Sequence, residues 1–192
     1  MIAIISSPTA ELSADGSHQP SGLGVRVARA LVRDGERVEL IGRIGADRVG
    51  EELTLSLARD GIGHVALLRD AALTTPVGAA ARGIALDRGD VQLGLRYLTS
   101  FSAVILIDPA NDAVVQAVAE ESAYVGAHLV VVGDGVSDHG VVAPDESGAP
   151  RGRTWREVPP PLFVARPKVE SSEFDAYLAG LLASDEGGSA KG

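Results

Sequence analysis

Between Ser21 and Gly61 the chain reads SGLGVRVARALVRDGERVELIGRIGADRVGEELTLSLARDG, and this stretch constrains the fold more than any other. It opens with Gly-Leu-Gly-Val-Arg-Val-Ala from Gly22 to Ala28, where small residues let a backbone approach a ligand closely. Val25, Ala28, Leu31 and Val32 then recur at helical spacing, which predicts a helix with one buried face. Gly35 stands where a helix C-cap belongs. From Glu36 to Ile44 polar and apolar residues alternate, with Val38, Leu40 and Gly42 on one face, as in a strand. Gly45-Ala46-Asp47-Arg48-Val49-Gly50 turns the chain again, and Asp47 is placed to N-cap a helix ending before Gly61.

Two phosphate-binding loops can be tested on this stretch, and both fail. A dinucleotide fingerprint puts its third small residue on Val27, which is too bulky. A Walker A loop needs Gly-Lys followed by Ser or Thr, and the chain has none. The spacing instead resembles the first signature of the PfkB family of carbohydrate kinases, whose type member is ribokinase. Gly22, Gly24, Ala28, Gly35 and Gly45 fall in register with it. Gly45 to Gly50 is similar to the family's G-x-D-x-x-G turn, and Leu57 to Ile62 to the L-x-x-x-G-V/I that closes its helix. Thr74-Thr75-Pro76-Val77-Gly78 is a further echo of its Thr-Gly step.

The remaining chain reads as alternating strands and helices. Ile2 to Ile5 is a continuous apolar run suited to a central parallel strand, and Ser6 to Glu11 leaves its C-terminal end, where open α/β sheets bind ligands. Leu12 to Pro20 reads as a short polar connection. It is too short for the extra lid strands of the family, given about five or six residues per strand. His64 to Leu68 and Ala103 to Ile107 read as strands, Asp90 to Ser100 and Asn111 to Val125 as helices, and His128 to Val132 as another buried strand. Gly133 to Pro161 is a long Gly/Pro-rich loop. Leu162 to Ala165 restores a strand, followed by a helix capped by Ser171 or Ser172 that carries Phe174, Tyr177, Leu178, Leu181 and Leu182. Right-handed βαβ crossovers follow from this order. The expected fold is an α/β three-layer sandwich with a mostly parallel sheet, ribokinase-like, its lid reduced or absent. It spans residues 1–183 as one domain, with 184–192 as a flexible tail.

Composition narrows the partners. Seventeen basic side chains against 26 acidic ones give a net charge of −9, with no basic cluster to hold nucleic acid or an anionic membrane. The chain has no cysteine, which excludes disulfides and thiolate chemistry. The start carries no basic n-region, and no apolar run reaches membrane-span length, so a cytoplasmic protein is expected.

The resemblance implies a substrate site and also where it departs from the family. Glu11 matches an acidic residue that contacts sugar hydroxyls, and Ser21, Gly22, Gly24 and Asp47 fall on the substrate end. Arg26 replaces the family's sugar-binding Asn, and its guanidinium fork suits carboxylate or phosphate. The alternative for Glu11 and Arg26 is a solvated side chain. The family's Pro-Asn-x-x-Glu magnesium motif aligns with Pro167, Lys168, Val169, Glu170 and Ser171, where Lys replaces Asn and Ser takes the Glu position. Its Gly-Ala-Gly-Asp element, which supplies the anion hole and catalytic base, has no counterpart here. Gly133-Asp134-Gly135 directly follows a strand in the first half of the fold and cannot stand in for it.

The chain thus resembles a truncated N-terminal portion of a PfkB kinase lacking the ATP-binding half. Three functions are compatible with it: an inactive chain binding a sugar or sugar phosphate, an active kinase completed by another chain, and a structural or regulatory subunit. No catalytic residue is assigned, and ATP and Mg are expected only if the missing half is supplied in trans. Asp134, Asp138 and His139 are a metal-ligand set or, as the plainer reading, turn formers, and Trp155 pins the long loop or lines a pocket. A homodimer is expected, through the C-terminal helix or the sheet edge left by truncation.

Overall fold

A computed structural model describes residues 1–133, 162–165 and 171–182. Its elements run, in chain order, β1 (Ile2–Ile5), β2 (Thr9–Leu12), β3 (His18–Ser21), α1 (Leu23–Arg33), β4 (Val38–Gly45), α2 (Arg48–Arg59), β5 (Leu67–Asp70), α3 (Arg88–Tyr97), β6 (Ala103–Ile107), α4 (Asp112–Val125), β7 (His128–Gly133), β8 (Leu162–Ala165) and α5 (Ser172–Leu182). Six strands form one sheet in the order β5-β4-β1-β6-β7-β8, every pair parallel. Ile2 lies opposite Val38 on one side and Ala103 on the other, so β1 is covered along both edges.

Period-2 side-chain alternation sorts the strand residues between two apolar layers. Ile2, Ile4, Leu40, Ile105, Val130 and Val164 face one way and pack with α1 and α5. Ala3, Ile5, Ile41, Val104, Leu106 and Val131 face the other, against Val91 and Leu95 of α3 and Val114 and Val118 of α4. Both faces being covered is why these strands read as unbroken apolar runs. The result is the expected three-layer α/β sandwich.

Several helix ends follow their sequence signals. Asp47 caps α2 by accepting from Gly50 N at 2.7 Å, and Asn111 caps α4 by accepting from Val114 N. Ser171 accepts from Phe174 N, which settles the choice of cap for α5. Gly35, just past α1, has φ 89°, a conformation that favours glycine.

Three expectations need correction. Leu12 to Pro20 is not a plain connection. It joins Thr9–Leu12 to His18–Ser21 as an antiparallel hairpin, with a turn in which Ser13 N donates to Ser17 O at 2.8 Å. Two four-residue strands suffice, because Ala10 is also held by Pro76 and Gly78, forming a parallel bridge to Val77. The reduced lid is therefore a small hairpin. The strand expected over His64 to Leu68 lies later, at Leu67–Asp70, because a partly buried edge strand tolerates Arg69 and Asp70. The helix expected over Asp90 to Ser100 starts two residues earlier, since Asp87 and Asp90 make a reciprocal capping box. The long loop with Asp134, Asp138, His139 and Trp155, the Pro167 to Glu170 motif and the tail lie outside the described residues.

Candidate functional site

The strand order leaves β1 towards β4 on one side and towards β6 on the other. Such a switch point opens a crevice at the C-terminal edge of a parallel sheet. A cleft of about 1010 Å³ lies there. Its floor is the ends of β1 and β6, with Ser6, Ser7, Ile107 and Asp108. Thr9 and Gly22 border it where the hairpin leads into α1, Asn111 and Asp112 where α4 begins, and the 79–86 segment forms a wall.

The six candidate substrate residues do not converge on this cleft. Gly22 alone lines it, at φ 104°, a backbone conformation that side chains disfavour. Ser21 donates its hydroxyl to Glu11 Oε1 at 2.7 Å, so these two form a polar pair on the hairpin. Gly24 is a packing residue. An added Cβ lies 2.5 Å from Ser6 Cβ, so only glycine lets α1 sit this close to β1. Arg26 Nε donates to Asp175 Oδ2 at 2.8 Å, which ties α1 to α5. A residue 149 positions away supplies that partner, and no local pattern announces it.

Asp47 is the centre of a small polar network. Besides capping α2, its carboxylate accepts from Thr75 N at 2.8 Å and from Thr75 Oγ1 at 2.8 Å. The same Thr75 hydroxyl oxygen accepts from Gly45 N at 3.1 Å. Burial pushes the Asp47 carboxyl up, but the hydrogen bonds from Gly50 and Thr75 outweigh it and hold the group below the ordinary carboxylate range. Asp47 thus binds the 70s loop to α2, the loop that bridges the hairpin through Val77.

Two cleft residues carry weight that the sequence did not single out. Thr9 is only 6% exposed yet reaches the cleft. Asp108 ends β6, with its N–H held by Val132 O at 2.8 Å and φ at 48°. It is the one non-glycine residue at positive φ among the described residues. Strained backbone of this kind persists where the surroundings over-determine it, and it clusters at ligand sites. The signal that could have found it is the Asp108-Pro109 step directly after the apolar run Ala103 to Ile107. Among the described residues no group of three His, Asp or Glu side chains is placed to hold a metal ion. Ser171, at the Glu position of the magnesium motif, is used as a helix cap.

No family model matches this sequence, and no curated protein matches it. Solved structures do. A fructokinase from Halothermothrix orenii is similar at TM-score 0.52 and 17% identity, covering 68% of this chain and 56% of its own. A PfkB protein from a Polaromonas species gives 0.56 and 15%, covering 69% and 55%. A putative ribokinase II from E. coli gives 0.55 and 14%, covering 68% and 52%. The chain spans about half the length of these structures, and at such identity the likeness establishes the fold. No helix among the described residues is long and apolar enough to cross a membrane. The fold of this chain is that of the PfkB/ribokinase sugar kinases.

Proposed function

We propose that this chain binds a sugar or sugar phosphate in the cleft over the β1 and β6 ends, and that by itself it transfers no phosphate. The observation that carries the binding half is the cleft at the switch point of the sheet, floored by Ser6, Ser7 and the strained Asp108. Carboxylates and hydroxyls on a floor of backbone groups suit a polyhydroxylated ligand, because each ligand hydroxyl both donates and accepts. The similar structures being sugar kinases favours the same ligand class. The second half rests on the sequence, which holds no Gly-Ala-Gly-Asp element. Phosphoryl transfer depends on positioning and charge stabilisation of the phosphates, and nothing in this chain is assigned to that task.

Calorimetry with ribose, fructose and their phosphates tests the first half, and ATP consumption with the same sugars tests the second. Binding without turnover is the expected result. Turnover persisting in rigorously purified protein overturns the inactive reading. Absence of any binding leaves a structural or regulatory role. Asp108→Ala should weaken a sugar that binds by about tenfold or more, as loss of a charge-assisted hydrogen bond of about 1.5–3 kcal/mol implies. Unchanged affinity in that variant removes Asp108 from the site.

A further inference from the structure

Among the described helices, α2, α3, α4 and α5 are capped by the side chains of Asp47, Asp87, Asn111 and Ser171. The helix α1, 11 residues long, starts at Gly22 without a side-chain cap. The first-turn N–H groups of Leu23, Gly24 and Val25 find no acceptor among the described residues. Such groups carry the positive end of the helix dipole. Here they stand at the cleft, which Gly22 and Leu23 line. A buried hydroxyl faces the same corner. Thr9 of β2 lines the cleft and is 6% exposed, and its hydroxyl has no hydrogen-bond partner among the described residues. Thr9 Oγ1 is the one heavy atom near a Cβ built on Gly22, 3.9 Å away. Glycine at position 22 therefore leaves open the space between this hydroxyl and the start of α1. A hydroxyl placed this deeply is normally paired, and the cleft is where a partner can reach it.

The wall of the cleft adds a charge. Arg82 lines it and pairs with no carboxylate among the described residues. Its neighbour Gly83 is seated on the floor, since an added Cβ would lie 2.2 Å from the Ser7 carbonyl oxygen, and this fixes the backbone that carries Arg82. The carboxylates that line the cleft, Asp108 and Asp112, belong to its β6 and α4 side. Glu11 is exposed, engages Ser21, and is not among the lining residues. We propose that the α1 corner of the cleft seats a phosphate monoester, the phosphorylated end of a sugar phosphate. The N–H groups of Leu23 and Gly24 and the Thr9 hydroxyl donate to its oxygens, and the Arg82 guanidinium supplies the opposing charge. A phosphate dianion only accepts, which matches a set made of donors, a helix N-terminus and a cation. The planar fork of arginine suits its oxygens, whereas a free sugar gains nothing from that charge. The seat rests on the sugar-cleft reading for the rest of the ligand. Arg26, which donates to Asp175, takes no part in it.

Amide NMR of the intact chain titrated with inorganic phosphate at low salt tests the seat without any sugar. The Leu23, Gly24 and Val25 amide signals should shift together. Calorimetry with ribose and ribose 5-phosphate then reads what the phosphate adds. Ribose 5-phosphate should bind about tenfold or more tightly than ribose, and Arg82→Gln should bring that ratio towards one, as loss of a charge-assisted contact implies. Thr9→Val, which puts a methyl group in place of the hydroxyl, should weaken inorganic phosphate about threefold or more. Phosphate binding that shifts the α1 amides while no free sugar binds supports the seat and removes the free sugar from the cleft. Ribose and ribose 5-phosphate binding equally, with no phosphate shifts at α1, overturns the seat and leaves the sugar reading standing. Phosphate affinity unchanged in both variants overturns the seat, and no binding of any of the three overturns seat and sugar reading together. Arg82 is exposed, so its variant carries the test alone if the Thr9 variant does not fold.

Discussion

Asp47 shows how one carboxylate serves two distant parts of the chain. It caps α2 through Gly50 and holds Thr75 through both a backbone and a hydroxyl donor. Its lowered pKa is a statement about stability. A group whose pKa is depressed on folding contributes stability that is fully present above its unfolded value, near pH 4, and is lost as pH falls through the folded value. Asp47→Asn keeps an acceptor for the cap but removes the charge. We expect it to cost about 1–2 kcal/mol at pH 7, with the difference from the unaltered chain shrinking below pH 4. Urea unfolding at pH 7 and at pH 3.5 measures this, and an equal cost at both values would show that the charge contributes nothing.

At the scale of elements, α5 decides how one face of the sheet is closed. Its Phe174, Tyr177, Leu178, Leu181 and Leu182 are buried against α1 and β6, and Phe174 and Tyr177 stack with centroids 6.2 Å apart. The Arg26–Asp175 pair sits on the same seam. Leu178, fully buried, should cost about 2–5 kcal/mol when cut to Ala, the range for a large-to-small core substitution. Arg26→Ala should cost about 1–3 kcal/mol, because it strips the partner from a carboxylate that is largely buried. Since Arg26 points to α5, the same variant is expected to bind a sugar as well as the unaltered chain does. Thermal unfolding and calorimetry on that one protein separate its two roles: a loss of affinity with unchanged stability would return Arg26 to the ligand.

At the scale of the whole molecule, the use of α5 inside its own chain narrows the expected self-association. A helix face already buried against α1 is not available to a second copy. Of the two contacts expected for a dimer, the outer edge of β8 remains, and no strand pairs with it among the described residues. Open strand edges invite pairing with another chain. We therefore expect a two-fold dimer joined along β8, visible in light scattering at micromolar concentration as twice 19.7 kDa. A single 19.7 kDa species would remove the dimer from consideration.

The sequence by itself determined the sheet and the order of its elements. Unbroken runs such as Ile2 to Ile5 and Ala103 to Ile107 can be buried on both faces only in a covered parallel sheet, and the caps at Asp47, Asn111 and Ser171 are local hydrogen bonds written in neighbouring residues. It also made the hairpin's strands too short to notice, because four-residue strands gain their stability from Val77 and α2 and not from their own pattern. The site was legible only in part. Gly22 stands at the cleft, but Gly24 and Asp47 carry motif spacing for reasons of packing and capping, and Arg26 is matched to Asp175 by a contact across 149 positions. Which side chains meet at a site depends on where strands end in space. The tertiary structure alone decided that Asp108, strained at the end of β6, would stand beside the end of β1.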